Sequence, residues 1–219
     1  MSAADGWHDV GVPAQQAALA AGEFIAWKAG ARHGPFDALA RLIPRANPTH
    51  VLEVGSGSGH NAAWFASEWP GAMFEGCDYS PAMVDCARKA HPHARFTVGD
   101  QRDLPYVGAT ATALAPDLLL HGCALIHLSD IGDWLAALCE AARVSSRWVL
   151  LHRTPVRPPG LSVQHVTKHA YGVEIHETHV PQAALDWLLE SAGLREVRTE
   201  AWNLGQDPTQ ASILCEVLR

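Results

Sequence analysis

Residues 51 to 59 read VLEVGSGSG, an apolar run that passes directly into three glycines at every second position and then into an Ala-rich stretch from about Asn61 to Glu68. Glycines without Cβ let the main chain turn tightly and let a ligand lie against it, at the carboxyl end of a strand and the start of a helix. The chain after this junction repeats the unit. Between residues 50 and 153 short apolar runs alternate with amphipathic stretches, the pattern of parallel strands joined by crossover helices. Strands are predicted at His50 to Val54, Met73 to Asp78, Arg95 to Gly99, Leu114 to His121 and Trp148 to His152.

Helices fill the gaps. One is predicted to start at Ser80-Pro81, where a hydroxyl can cap a free N–H and proline presets the first turn, and to end at Pro92. Another covers Ile131 to Val144, with Ile131, Trp134, Leu135, Leu138 and Ala142 on one face. A third covers Pro181 to Ala192, with Ala184, Leu185, Leu188 and Leu189 inward and Gly193 as its stop. Two last strands follow, at Leu194 to Trp202 and Gln210 to Leu218. Ahead of the sheet, Pro13 to Lys28 and Pro35 to Ile43 read as two short helices. The predicted class is α/β: a doubly wound, mostly parallel seven-stranded sheet with helices on both faces. Residues 1–47 read as a helical lid, 48–153 as the binding core, 154–180 as a substrate cap, and 181–219 as the helix and strands that complete the sheet. The cap, opening on TPVRPPG, fits neither the helical nor the strand period.

Composition narrows the functions. With 48% apolar and 18% charged residues in 219, the chain can bury the core of one domain. Its 16 Lys and Arg against 23 Asp and Glu give a net charge of −7, which lacks the positive field that grips a phosphate backbone, so nucleic acid is not an expected partner. Apolar runs fall far short of the ~18 residues that cross a bilayer, and MSAADGWHDVGVP carries no secretory pattern, so the expected location is the cytoplasm, without a membrane partner. Five cysteines with no C-x-x-C pair read as small buried hydrophobes.

Carboxylates stand at the next two strand ends. Asp78 lies about twenty residues beyond the first loop glycine, where a doubly wound sheet holds a ribose diol. Asp100 ends the third strand, where an acid can accept a proton from an exocyclic amine such as that of adenine. For either residue an Asx turn or a helix N-cap is the structural alternative. A nicotinamide dinucleotide is disfavoured: the position three after Gly57 is His60, too large for close helix approach, and Glu53 would set negative charge beside phosphates.

In these features the sequence resembles the class I S-adenosylmethionine-dependent methyltransferases, through VLEVGSGSG, GCDYSPAMVDCAR and FTVGDQRDLP in order. The resemblance implies S-adenosyl-L-methionine as cofactor. It implies that Gly55, Gly57 and Gly59 surround the methionine portion, with Glu53 near its ammonium. Asp78 would hold the ribose hydroxyls, Tyr79 and Met83 would flank the adenine, and Asp100 with the Gln101 backbone would read the adenine edge. It also implies a last strand, Gln210 to Leu218, antiparallel to the rest.

On the acceptor side, His121 ends the fourth strand and is the first candidate for a general base, a hydrogen bond to a backbone carbonyl being its structural alternative. His127, in CALIHL, is read as shaping the loop more than as a second base. Arg153 is a candidate clamp for a carboxylate or phosphate, with a surface ion pair as the alternative. The cap holds His165, His169, His176 and His179. A helix would bring the first two together at zinc spacing, yet the glutamate of H-E-x-x-H is missing and His176 to His179 reads as extended chain, so no metal is expected. Polar lining for an acceptor is the better reading, with Tyr171 as a wall. The expected function is methyl transfer to a small-molecule acceptor, such as a sugar or secondary metabolite, by a monomer or homodimer. A protein or RNA acceptor is one alternative. A catalytically silent cofactor-binding subunit is the other, with Trp7, Phe24, Ile25 and Trp27 as its interface or as a lid.

Overall fold

A computed structural model describes residues 35–111, 114–170 and 173–219. Helix α1 (Pro35–Ala46) leads into β1 (His50–Val54), α2 (His60–Glu68), β2 (Met73–Asp78), α3 (Pro81–Ala90), β3 (Arg95–Val98) and β4 (Leu118–Gly122). Then come α4 (Ile131–Val144), β5 (Trp148–Arg157), β6 (Gln164–Ala170), β7 (Val173–Pro181), α5 (Gln182–Ser191), β8 (Leu194–Trp202) and β9 (Thr209–Val217). Helix α1 falls where Pro35 to Ile43 predicts one; the expected helix at Pro13 to Lys28 lies outside the described residues.

The strands form a nine-stranded mixed sheet. β3, β2, β1, β4 and β5 are parallel neighbours in that order, and β9 is antiparallel between β5 and β8. Chain order reverses direction between β1 and β4, and the gap there at the carboxyl ends is where doubly wound sheets take ligands. Alternation along the strands feeds two cores. Leu52, Val54, Leu119, Val149 and Leu151 pack with Trp134, Leu138, Leu185 and Leu188. Val51, Leu118, Leu120 and Leu150 pack with Leu39, Leu42, Ile43 and Phe65 on the other face.

Several boundaries differ from the expectation. β4 starts at Leu118 and not Leu114, because Asp117 turns back to accept from the backbone N–H groups of Thr49 and His50, and Leu114 is 80% exposed. β5 runs on to Arg157, past a register shift between Leu151 and Thr154 that takes up Arg153 at φ 57. The irregular cap is instead a β-hairpin. β6 pairs antiparallel with β7, and β7 joins the end of β5 through Val156 with Val180 and Arg157 with Pro181, which raises the expected seven strands to nine. The helix that would have stacked His165 on His169 is absent: both lie on β6, with His165 Nδ1 3.2 Å from Thr178 Oγ1 and His169 Nε2 3.5 Å from Glu174. Among the described residues no three metal-ligating side chains come together, and no helix is long and apolar enough to cross a membrane. Of the five cysteines only Cys77 and Cys215 are buried, while Cys139 is exposed.

Candidate active site

The loop after β1 is built by hydrogen bonds to β2. Gly55 and Ser56 both donate to the Cys77 carbonyl, at 2.8 and 3.1 Å, and Gly57 donates to Asp78 Oδ2 at 2.8 Å. Gly55, Gly57 and Gly59 sit at φ 75, 54 and 83, where side chains are disfavoured. Close approach adds a second demand. A Cβ on Gly55 would lie 2.4 Å from the Ala124 Cβ, and one on Gly59 would lie 2.7 Å from the His91 ring. The loop is thus pressed between the β4 turn and α3.

Asp78 is the hinge of this arrangement. One oxygen takes the Gly57 N–H and the other takes the Ser80 N–H at 2.9 Å, so the Asx turn is real and the same carboxylate also fixes the glycine loop. Ser80 caps α3 through Met83 N–H, as its position before Pro81 predicts. Tyr79 is open to solvent at 46%, whereas Met83 is buried in the interior and offers no open face. Glu53 is buried at 1% and accepts from the Asn61 amide, and Gly122 leaves room for it, since a Cβ there would fall 2.2 Å from Glu53 Oε1. Asn61 and Gly122 escape the sequence reading. Their signal is visible only in hindsight, as a polar residue in the first turn of α2 and a glycine ending DLLLHG.

At the end of β3, Asp100 is gripped by Arg102. Its Oδ1 accepts from Arg102 N and Nε at 2.8 and 3.0 Å, and its Oδ2 from Nη2 at 2.6 Å. The guanidinium bonds hold the Asp100 carboxyl below its usual range. Gln101 reaches across to the Ala124 carbonyl at 3.3 Å, next to Gly55.

The ends of β4 and β5 differ in character. His121 is 1% exposed, and neither ring nitrogen has a hydrogen-bond partner; burial pushes its pKa down to about 3. The backbone-carbonyl bond expected as its structural alternative is not made. Cys123, half-buried, follows at φ 68 with its N–H shared between the carbonyls of His121 and His152, and desolvation of its thiol raises the pKa. His127 donates from Nδ1 to the His176 carbonyl at 3.1 Å and so pins the hairpin over the β4 turn, while burial lowers its pKa. Arg153 is exposed on the β5 bulge. Nearby on the hairpin, Lys168 and His179 meet Glu177 at 2.5 and 3.1 Å. Burial alone would raise the Glu177 carboxyl, but bonds from His179 and Lys168 bring it down to about 2. Tyr171 lies outside the described residues.

Known proteins fit this geometry. A family model described as a methyltransferase domain matches residues 51–147. The malonyl-[acyl-carrier protein] O-methyltransferase of Herminiimonas arsenicoxydans is 37% identical over 186 residues, covering 80% of this chain and 70% of that protein. The chain belongs to the class I S-adenosylmethionine-dependent methyltransferases. A trans-aconitate 2-methyltransferase of Escherichia coli O7:K1 is 36% identical, with 76% of each chain covered. Among solved structures, the SAM-bound amino pentose methyltransferase of Micromonospora echinaspora shares the fold, with TM-score 0.62 at 18% identity over 88% of this chain and 94% of that one.

The methyltransferase uses S-adenosylmethionine, and its residues fit that group. The loop has glycines at each position where a Cβ would collide or strain, and a buried carboxylate, Glu53, sits under it where a phosphate-bearing cofactor would be repelled. A cofactor with a cationic methionine end and no phosphate suits both features.

Proposed function

We propose that this methyltransferase methylates a carboxylate oxygen of a small organic acid, with Arg153 holding the acid. Arg153 carries the reading. It is an exposed cation at φ 57 on the β5 bulge, beside the ligand edge, and it enters no ion pair with any described residue. A non-glycine residue in this region costs about 1–2 kcal/mol, and such strain concentrates at functional sites. A neutral sugar offers this guanidinium hydroxyl acceptors but no counter-charge, whereas a carboxylate meets its fork with charge and two parallel hydrogen bonds. The acceptors named for two relatives, malonyl and trans-aconitate, are carboxylic acids.

When bound, S-adenosylmethionine supplies an electrophilic methyl carbon, and the chain's task is alignment. Asp78 would take the ribose hydroxyls, Glu53 would face the methionine ammonium, and Tyr79 would lie against the adenine beside Asp100 and the Gln101 backbone. An organic acid is ionised at neutral pH, so its oxygen attacks without a base. His121 therefore needs no proton-transfer role, in keeping with its pKa near 3. His127 holds the hairpin, whose Lys168 and Glu177 wall the acceptor side.

The test is release of S-adenosylhomocysteine with a panel of acceptors: free di- and tricarboxylates, a carrier-bound malonyl group, amino sugars and phenols. Turnover is expected with carboxylates, and Arg153→Ala should raise KM about tenfold or more while kcat changes little. Turnover confined to sugars or phenols overturns the proposal.

A further inference from the structure

Arg102, two residues beyond Asp100, binds that carboxylate through its backbone N–H and its guanidinium together. Its N–H, Nε and Nη2 close on Asp100, while Nη1 reaches Asp133 Oδ2 at 3.1 Å in the first turn of α4. The turn beneath is tight, with Asp103 N–H donating to the Asp100 carbonyl at 3.1 Å.

A carboxylate has about four acceptor sites. Arg102 N and Nε fill both on Oδ1, and Nη2 takes one on Oδ2, with Nε only sharing that oxygen at 3.2 Å. One site on Oδ2 remains. We infer that Arg102 is a positioning residue: it locks Asp100 so that this single acceptor site meets one N–H of the adenine amine, and Asp133 on α4 braces the lock. The inference rests on the reading of Asp100 as the adenine reader.

The consequence is discrimination at the purine 6-position. A locked, ionised acid accepts from an amine and repels a carbonyl oxygen. An unlocked acid can rotate or take up a proton, and then tolerates either. Arg102 need not touch the cofactor to have this effect.

The experiment is calorimetric titration of the full chain with S-adenosylhomocysteine and with S-inosylhomocysteine, whose 6-amine is replaced by oxygen. Wild type should prefer the adenosyl compound by about ten- to a hundredfold, as for one hydrogen bond to a charged group. Asp100→Ala should abolish the preference, which tests the reading of Asp100 on its own. Arg102→Ala should reduce it to about threefold or less, chiefly by weakening the adenosyl compound, and Arg102→Lys should restore part of it. Asp133→Asn, which spares both Asp100 and Arg102, should show a smaller loss in the same direction and serves if Arg102→Ala does not fold. If Arg102→Ala or Asp133→Asn weakens both ligands equally and keeps the ratio, Arg102 is only a structural brace and the inference falls. If wild type shows no preference, or Asp100→Ala keeps it, the reading of Asp100 falls first.

Discussion

The β1–β3 half of the ligand edge and the β4–β5 half are held in opposite ways. In the first, backbone N–H groups or an arginine fix the two strand-end carboxylates: Gly57 and Ser80 hold Asp78, and Arg102 holds Asp100. In the second, both nitrogens of His121 are buried without partners, Arg153 is strained and unpaired among the described residues, and Cys123 sits at φ 68. Unsatisfied buried groups and strained backbone are costly and call for an explanation. The contrast teaches that the chain itself positions the two strand-end acids, although Ser56 Oγ and Gln101 Oε1 on that side are buried without partners too, while Arg153 across the edge has no counter-ion among the described residues.

The largest effect expected from breaking this contrast lies on the cofactor side. Gly55→Ala combines a positive φ with a Cβ 2.4 Å from Ala124, and should cost about 2–4 kcal/mol in denaturant unfolding, together with S-adenosylhomocysteine binding. Unchanged stability would mean that the loop is not pressed on the β4 turn.

A smaller effect is expected at His121. Its folded pKa is about 3 against a reference of 6.5, so below pH 6.5 the unfolded chain binds the extra proton. Stability should therefore fall as the pH is lowered from 6.5 towards 3, by about 1.4 kcal/mol per unit from this group. His121→Leu should remove that slope, be about 2 kcal/mol less acid-sensitive between pH 7 and pH 5, and keep kcat within about threefold. A hundredfold loss of kcat with cofactor affinity intact would restore His121 as the base.

Glu177 gives the smallest shift. Its carboxyl is brought from 4.5 down to about 2, so its contribution is complete above pH 4.5 and is lost as the pH falls through about 2. Glu177→Gln should cost about 1 kcal/mol at pH 7, with the difference from wild type shrinking in acid unfolding. A constant difference at all pH values would show that packing, and not charge, holds the hairpin face.

The same division explains what the sequence discloses. The glycine loop, Asp78 and the Ser80 cap are local: each is made within a few residues of a strand end, so composition and spacing reveal them. The hairpin hides because Lys168 and Glu177 place charges on the face that Val166 and Ile175 would otherwise mark as apolar, opposite the polar face of His165, Thr167, His176 and Thr178. β5 extends past His152 because Arg153 takes a left-handed φ that its residue type does not announce. Gly122 and Asn61 matter only through Glu53, a contact between distant strands and helices. Arg102 closes on Asp100 only two residues away, but its second anchor on Asp133 depends on where α4 packs.

The central claim is that the glycine loop and Asp78 together hold the adenosyl cofactor. Its most direct test is calorimetric titration of wild type and Asp78→Ala with S-adenosylhomocysteine. Saturable 1:1 binding by wild type, weakened about ten- to a hundredfold in a variant that still unfolds cooperatively, is the expected result. Equal affinity in the two proteins, or no binding by either, would contradict it.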